Sequence, residues 1–392
     1  MSHDDCRGRG SNKSRTSITY LLVAKPCLVL HRGGVRVKKE RGREKTGGRT
    51  LKGKRRKQLK KVEKKGVDKR MSTTYATVQC TDLVFDVDFH PKLDVICAGI
   101  FDGSLLLYEL KEENKKFKKK WKISNHEKTI RCVSFSHNGK SILSASSDKK
   151  CSVTDITGKL IWINTCHNST ISSVLYTGMN TFLTADENGI IKHWDIRDES
   201  KKPIHKTKQF DDNISYMLLD VDDSSIVILS GGYLALFDIL YKKKITSRCI
   251  SHEHKDEFLC SHFTQSNSKV VCTTMNGYIM TFSKYPWANI EANIKGSKDM
   301  INTFVKIDEY TILYGTSDGL VKVAHLQQNQ IGDVIAKHEK GDAIEKLTVN
   351  KKKNLLSSIS HDNTINFYPI NVNDTNISIK AKRKKRSFFR DL

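Results

Sequence analysis

Serine, histidine and aspartate recur together along this chain, as His126 with Ser146 and Asp148 and as His338 with Ser360 and Asp362. A single set beside an oxyanion hole would be a hydrolytic triad, with hydroxyl as nucleophile, imidazole as base and carboxylate as its orienter. Here the same types return at a regular interval. That regularity predicts a structural hydrogen-bond network between strands and turns and no catalysis, with a hydrolase as the formal alternative. A second grouping, "SHEHKDEFLCSH", offers His252, His254, Cys260 and His262. Its spacing fits no closed zinc site of nitrogen and sulfur ligands, so it is expected to be a solvated loop between strands with one core cysteine. Neither G-x-x-x-x-G-K-[ST] nor a helix-opening G-x-G-x-x-G occurs, which leaves nucleotide hydrolysis unsupported and no cofactor expected.

The elements that must position these residues follow from an internal repeat. Seven stretches share one form, a turn followed by an alternating run: "DGSLLLYEL" from Asp102, "DKKCSVTDI" from Asp148, "NGIIKHWDI" from Asn188, "GGYLALFDI" from Gly231, "NGYIMTFSK" from Asn276, "DGLVKVAHL" from Asp318 and "DNTINFYPI" from Asp362. Successive starts lie 46, 40, 43, 45, 42 and 44 residues apart. The paired turn residues supply the positive φ of a tight hairpin, and period-two alternation puts every second side chain between neighbouring sheets. A four-stranded unit of this length cannot bury both faces alone, so the units must stack around an axis. The predicted fold class is all-β, a seven-bladed propeller over residues 71–373. The last unit runs out at its third strand near Ile370. Its missing outer strand is therefore expected from the start of the body, around Tyr75 to Cys80, which would remove an exposed edge.

Charge divides the chain in the same way. The whole has 68 Lys and Arg against 43 acids, but residues 1–70 hold 24 against 6 and residues 380–392 hold 7 against 1. The body between carries 37 against 36 and is nearly neutral. This is a folded body with two basic, disordered tails, at 1–70 and 374–392, and not a fold with a dedicated basic face. At Met71 the composition changes abruptly, so Met71 is an alternative start of the functional protein. Lys380, Lys382, Arg383, Lys384, Lys385 and Arg386 form a dense cluster that reads as a nuclear localisation signal, a phosphate-binding tail or both, against a merely solvating tail. Phe388 and Phe389 after it are a candidate anchor for a partner groove. Ten cysteines without any C-x-x-C pair fit buried thiols in a reducing compartment. The apolar run "YLLVAKPCLVL" is interrupted by Lys25 and Pro26 and is too short to span a bilayer, so a soluble intracellular protein is expected, with no membrane or small-molecule partner.

"HWDI" with His167 upstream, on a period of 40 to 46 residues, resembles the WD40 repeat family over roughly residues 80–372. Only one unit has Trp-Asp; the others place Tyr108, Thr154, Phe237, Phe282, Ala324 and Tyr368 at the tryptophan position. "LVFDVDFHP", "NGIIKHWDIRD", "DDNISYMLLD", "TILYGTSDGLVKVAHLQQNQIG" and "SSISHDNTINFY", with the terminal "SFFRDL", look like the WD repeat protein 55 family. That resemblance implies a nuclear or nucleolar scaffold for ribosomal RNA processing and large-subunit assembly, with pre-ribosomal proteins and pre-rRNA as partners. One plant member implies a second role as substrate receptor of a cullin-RING ubiquitin ligase. Trp194-Asp195-Ile196-Arg197 resembles the W-D-x-R box by which such receptors dock on the damaged-DNA-binding adaptor. Arg197 would then offer a bidentate contact to a partner carboxylate. The bland alternative is that Trp194 packs between blades and Asp195 caps a turn.

Overall fold

In the computed structural model, residues 74–111, 116–220, 225–239, 245–338 and 341–370 are described. They form strands joined by turns and bends, with no helix. The basic stretches at 1–70 and 374–392, Met71, the 380–386 cluster and Phe388 with Phe389 lie outside the described residues.

The chain enters on β1 (Ala76–Gln79). Blade 1 follows as β2 (Val84–Phe89), β3 (Val95–Ile100), β4 (Ser104–Lys111) and β5 (Lys116–Ser124). Blade 2 is β6 (Ile130–Phe135), β7 (Ser141–Ser146), β8 (Lys150–Asp155) and β9 (Leu160–Thr165), and blade 3 is β10 (Ile171–Tyr176), β11 (Thr181–Asp186), β12 (Ile190–Asp195) and β13 (His205–Lys208). Blade 4 comprises β14 (Ile214–Leu219), β15 (Ser225–Ser230), β16 (Tyr233–Ile239) and β17 (Ile245–Ile250). Blade 5 comprises β18 (Phe258–Thr264), β19 (Lys269–Thr274), β20 (Tyr278–Ser283) and β21 (Asn289–Lys295). Blade 6 is β22 (Phe304–Lys306), β23 (Thr311–Gly315), β24 (Leu320–His325) and β25 (Gln330–Lys337). Blade 7 contributes β26 (Ile344–Val349), β27 (Leu355–Ser360) and β28 (Thr364–Pro369), and its fourth strand is β1.

Each blade is thus a four-stranded antiparallel sheet, and the first strand of each touches the first strand of the next. Because β26 also touches β2, the circuit closes as a seven-bladed propeller. Ala76 pairs with Phe367, Val78 with Ile365 and Gln79 with Thr364, so the expected closing strand is present and hides the edge of β28. At the heads of the repeats the backbone is left-handed at Gly103, Lys149, Gly189, Gly231, Gly277, Gly319 and Asn363. A Cβ at Gly189 would stand 2.2 Å from the Phe210 carbonyl oxygen, so both φ and space demand glycine there.

Alternation along each strand feeds the two cores beside it. In β12, Trp194 packs toward blade 2 with Leu143, Val153 and Trp162, while Ile191 packs toward blade 4 with Ile214 and Phe237. The second strands β3, β7, β15 and β27 are buried at every position. Residues at the tryptophan position of all seven repeats are buried, including Thr154 and Ala324 at 0% exposure. Burial of each large apolar side chain is worth about 1.5–3 kcal/mol, so stacked blades and not isolated sheets carry the stability. The eight cysteines among the described residues are free thiols, and burial pushes Cys97, Cys151 and Cys272 well above the ordinary thiol range.

Candidate functional sites on the propeller

The inner strands are stitched together side chain to backbone. Asp86 on β2 accepts the Val133 N–H of β6 at 2.8 Å, and Asp88 accepts that of Phe135 at 2.8 Å. The Cys132 thiol reaches the Ser172 carbonyl on β10, the Ser172 hydroxyl donates to Ile214 on β14, and the Ser215 hydroxyl donates to Phe258 on β18. Cys260 and Phe304 share one apolar cluster between β18 and β22, and Thr303 accepts the Leu347 N–H of β26. Lys346 then returns to Asp86 at 3.0 Å, joining the last blade to the first. Burial would lower the Lys346 ammonium, but Asp86, with Tyr216 and Cys260 nearby, carries it above the ordinary lysine range. Burial pushes the Asp88 carboxyl up to about 7, against the Phe135 N–H bond. Apart from Cys260, none of these residues was singled out from sequence, because the two partners of each link lie in different repeats and no local motif announces them.

The recurring Ser, His and Asp form networks at blades 2, 3 and 7. His126 Nδ1 meets Asp148 at 3.1 Å and Nε2 meets the Ser144 hydroxyl at 2.9 Å. His338 likewise joins Asp362 at 3.2 Å and Ser358. The serines expected from sequence, Ser146 and Ser360, are not the partners. They sit at the strand ends, where their hydroxyls bond the loop carbonyls of Lys128 and Ala343, while the rings reach deeper. Blade 3 has the fullest version. Trp194 Nε1 donates to Thr184 Oγ1 at 2.9 Å, Thr184 meets His167 Nε2 at 2.7 Å, and His167 Nδ1 meets Asp186 at 2.9 Å. With the imidazole neutral, one proton order satisfies all three bonds: Thr184 accepts from Trp194 and donates to Nε2, leaving Nδ1–H for Asp186. Burial holds the His167 imidazole below its usual range, in keeping with that neutral tautomer. Ser144, Thr184 and Ser358 are all 0% exposed, so no substrate can reach a hydroxyl in these networks.

The histidine and cysteine stretch is only half a loop. His252 and His254 precede β18, and His254 packs edge-on against Phe258 and Phe282 at 5.2 and 5.4 Å. Cys260 and His262 lie on β18 itself, because Phe258, Cys260 and Phe263 supply buried positions that make "FLCSHFT" a strand. Burial lowers His262 to about 4. No group of three or more His, Cys, Asp or Glu side chains among the described residues could hold a metal ion.

The docking box divides between core and surface. Trp194 is 2% exposed and stacks edge-on to Trp162 at 5.9 Å, so it belongs to the interior. Asp195 ends β12, and its carboxylate takes the Arg197 backbone N–H at 3.1 Å, capping the turn. The Arg197 guanidinium forks onto the same carboxylate, Nε at 2.9 Å and Nη2 at 2.7 Å, with its side chain two-thirds exposed. The bidentate contact expected for a partner is therefore made within the turn. Three of the five guanidinium N–H groups remain beyond the two used in this fork.

The ring of four-stranded sheets and the His–Asp–hydroxyl networks define a WD40-type β-propeller. The WDR55 family model matches residues 75–373, spanning the propeller. The chain belongs to that family, the WD repeat-containing protein 55 proteins. It is 28% identical over 303 residues to a WD repeat-containing protein 55 homolog of Aedes aegypti, covering 75% of this chain and 61% of the relative. A homolog of the same name in Drosophila persimilis is 29% identical over 321 residues, covering 78% and 61%. That of Drosophila mojavensis is 29% identical over 318 residues, covering 79% and 60%. The chain thus spans about three fifths of the length of these relatives.

Proposed function

We propose that this chain is a non-catalytic scaffold of the nucleus and nucleolus that acts in ribosomal RNA processing and large-subunit assembly. The observation that carries the reading is membership of the WD repeat-containing protein 55 family across the whole propeller, joined to the basic cluster Lys380, Lys382, Arg383, Lys384, Lys385 and Arg386 after it. A rigid ring offers several edges to pre-ribosomal proteins, while a basic tail serves as an import signal and a salt-dependent tether to pre-rRNA. Phe388 and Phe389 would add an apolar anchor beside that tail. The closed hydroxyl networks support a role by binding rather than by chemistry, without any cofactor. The test is acute depletion followed by pulse labelling of ribosomal RNA. Accumulated precursors with reduced large-subunit RNA are expected; normal processing would reject the reading.

The second reading is a substrate receptor of a cullin-RING ligase, favoured by the exposure of Arg197 in a W-D-x-R turn. Trp194 and Asp195 would hold that turn in shape, and Arg197 alone would touch the adaptor. Co-purification of the damaged-DNA-binding adaptor with the chain tests it.

A further inference from the structure

We propose that β5, the outer strand of blade 1, is a contact strip for the phosphate backbone of single-stranded RNA. The strand reads "KFKKKWKIS", and Lys116, Lys118, Lys119, Lys120 and Lys122 are all exposed. Five lysines on one strand are drawn from a body whose charges otherwise nearly cancel. Two are engaged: Lys120 meets Glu109 at 3.0 Å and Lys122 meets Asp102 at 2.9 Å. Among the described residues, Lys116, Lys118 and Lys119 make no ion pair. This strip goes beyond the tail-tethered scaffold above, since it puts a nucleic-acid contact on the propeller itself.

Protection of an exposed sheet edge does not explain the lysines. Lysine does blunt edge strands, but the other six outer strands have the same need and use far fewer basic side chains. β1 and β9 carry no lysine or arginine, β17, β21 and β25 carry one each, and β13 carries two. β9 even leaves Leu160 and Ile161 at 41% and 52% exposure.

The strand is fixed at both faces, which lowers the entropy lost on binding. Phe117 stacks on Phe367 of blade 7 with ring centroids 3.8 Å apart, and Trp121 Nε1 donates to the Ile156 carbonyl of blade 2 at 3.1 Å. Nine residues at about 3.3 Å each give a line of charge about 30 Å long, enough to pass several phosphates. An acidic peptide added as a fifth strand is the rival occupant, and the edge is unsuited to it. A bulge between the Leu107 and Tyr108 pairings breaks the register in mid-strand, so an added strand could not keep a continuous ladder. A phosphate chain needs only the charges.

The experiment measures binding of the full-length chain to a labelled mixed-sequence RNA of about 20 nucleotides across a salt series. The background carries the lysines and arginines of residues 1–70 and of residues 380–386 neutralised to glutamine, so that neither basic stretch masks the strip. In that background K116Q/K118Q/K119Q is expected to weaken binding at least about ten-fold and to flatten the log–log salt slope by about 2, at ~0.7 per lost phosphate contact. Unchanged affinity and slope would overturn the proposal, as would loss of poly-glutamate binding with RNA binding intact. Should the triple variant lose its thermal transition, 4-thiouridine crosslinking of RNA to the unaltered chain decides. Crosslinks within 116–122 support the strip, and crosslinks confined elsewhere overturn it. Failure here leaves the depletion experiment untouched, and normal rRNA processing would leave this binding result standing.

Discussion

Lys346 of the last blade and Asp86 of the first meet at 3.0 Å, so the ring is closed at its inner strands by an ion pair as well as at its rim by β1. Asp86 also holds the Val133 N–H, which makes it a junction of three blades. Asp86→Ala strands both partners and should cost about 2–3 kcal/mol, below the usual range for a fully buried pair because water reaches a third of the lysine side chain. Lys346→Met should cost less, and the double variant should show a coupling of about 1 kcal/mol in urea denaturation. Strict additivity would mean that the pair contributes nothing to closure.

At the rim, β1 covers the edge of β28 and brings Val78 into one core with Ile365 and Phe367. Removing residues up to Cys80 should therefore lower the melting temperature sharply and promote self-association through the bared edge. Scanning calorimetry with light scattering checks both, and an unchanged transition would show that the inner closure suffices.

The blade 3 network ties Trp194 to His167 through one hydroxyl. Thr184→Val preserves shape while leaving the Trp194 N–H and His167 Nε2 without their bond, at a cost of about 1–3 kcal/mol. Trp194→Phe loses one bond and some packing, so it too should destabilise. Equal stability of Thr184→Val and wild type in guanidinium melts would remove the network from the account.

Asp148 predicts a pH dependence. Its burial would raise the carboxyl, but bonds from His126 and from the Lys150 and Glu127 N–H groups bring it down to about 2. A folded-state value below the unfolded one stabilises the fold above about pH 4 and ceases to do so as pH falls toward 2. Wild type should thus lose stability more steeply than Asp148→Asn across that window, and parallel pH profiles would refute the assignment.

Arg197 tests the docking turn. Because its fork with Asp195 is exposed and screened by water, Arg197→Ala should leave the melting temperature nearly unchanged while abolishing recovery of the adaptor in pull-downs. Asp195→Asn, which loosens the fork, should weaken recovery less. Adaptor recovery that survives Arg197→Ala removes this arginine from the contact.

The repeat was legible because it is local. Turn pairs such as Asn188-Gly189 and the alternation through Trp194 specify strand, turn and period within a few residues, and the shortfall of one strand near Ile370 pointed to Tyr75–Cys80. The serines were misjudged for an equally local reason: sequence gives the spacing of Ser144 and Ser146 but not which hydroxyl lies at the depth of the His126 ring. Likewise Arg197 was visible, but not that Asp195 already occupies its fork.

What the sequence by itself determined was the number of blades, their order and the strand that closes them, since each follows from periodicity and turn chemistry. The tertiary structure alone decided which distant side chains became neighbours: Lys346 beside Asp86, Phe117 on Phe367, and five lysines left on an outer edge of a nearly neutral body. Such contacts depend on how the ring closes, and no pattern within one repeat records the position of another.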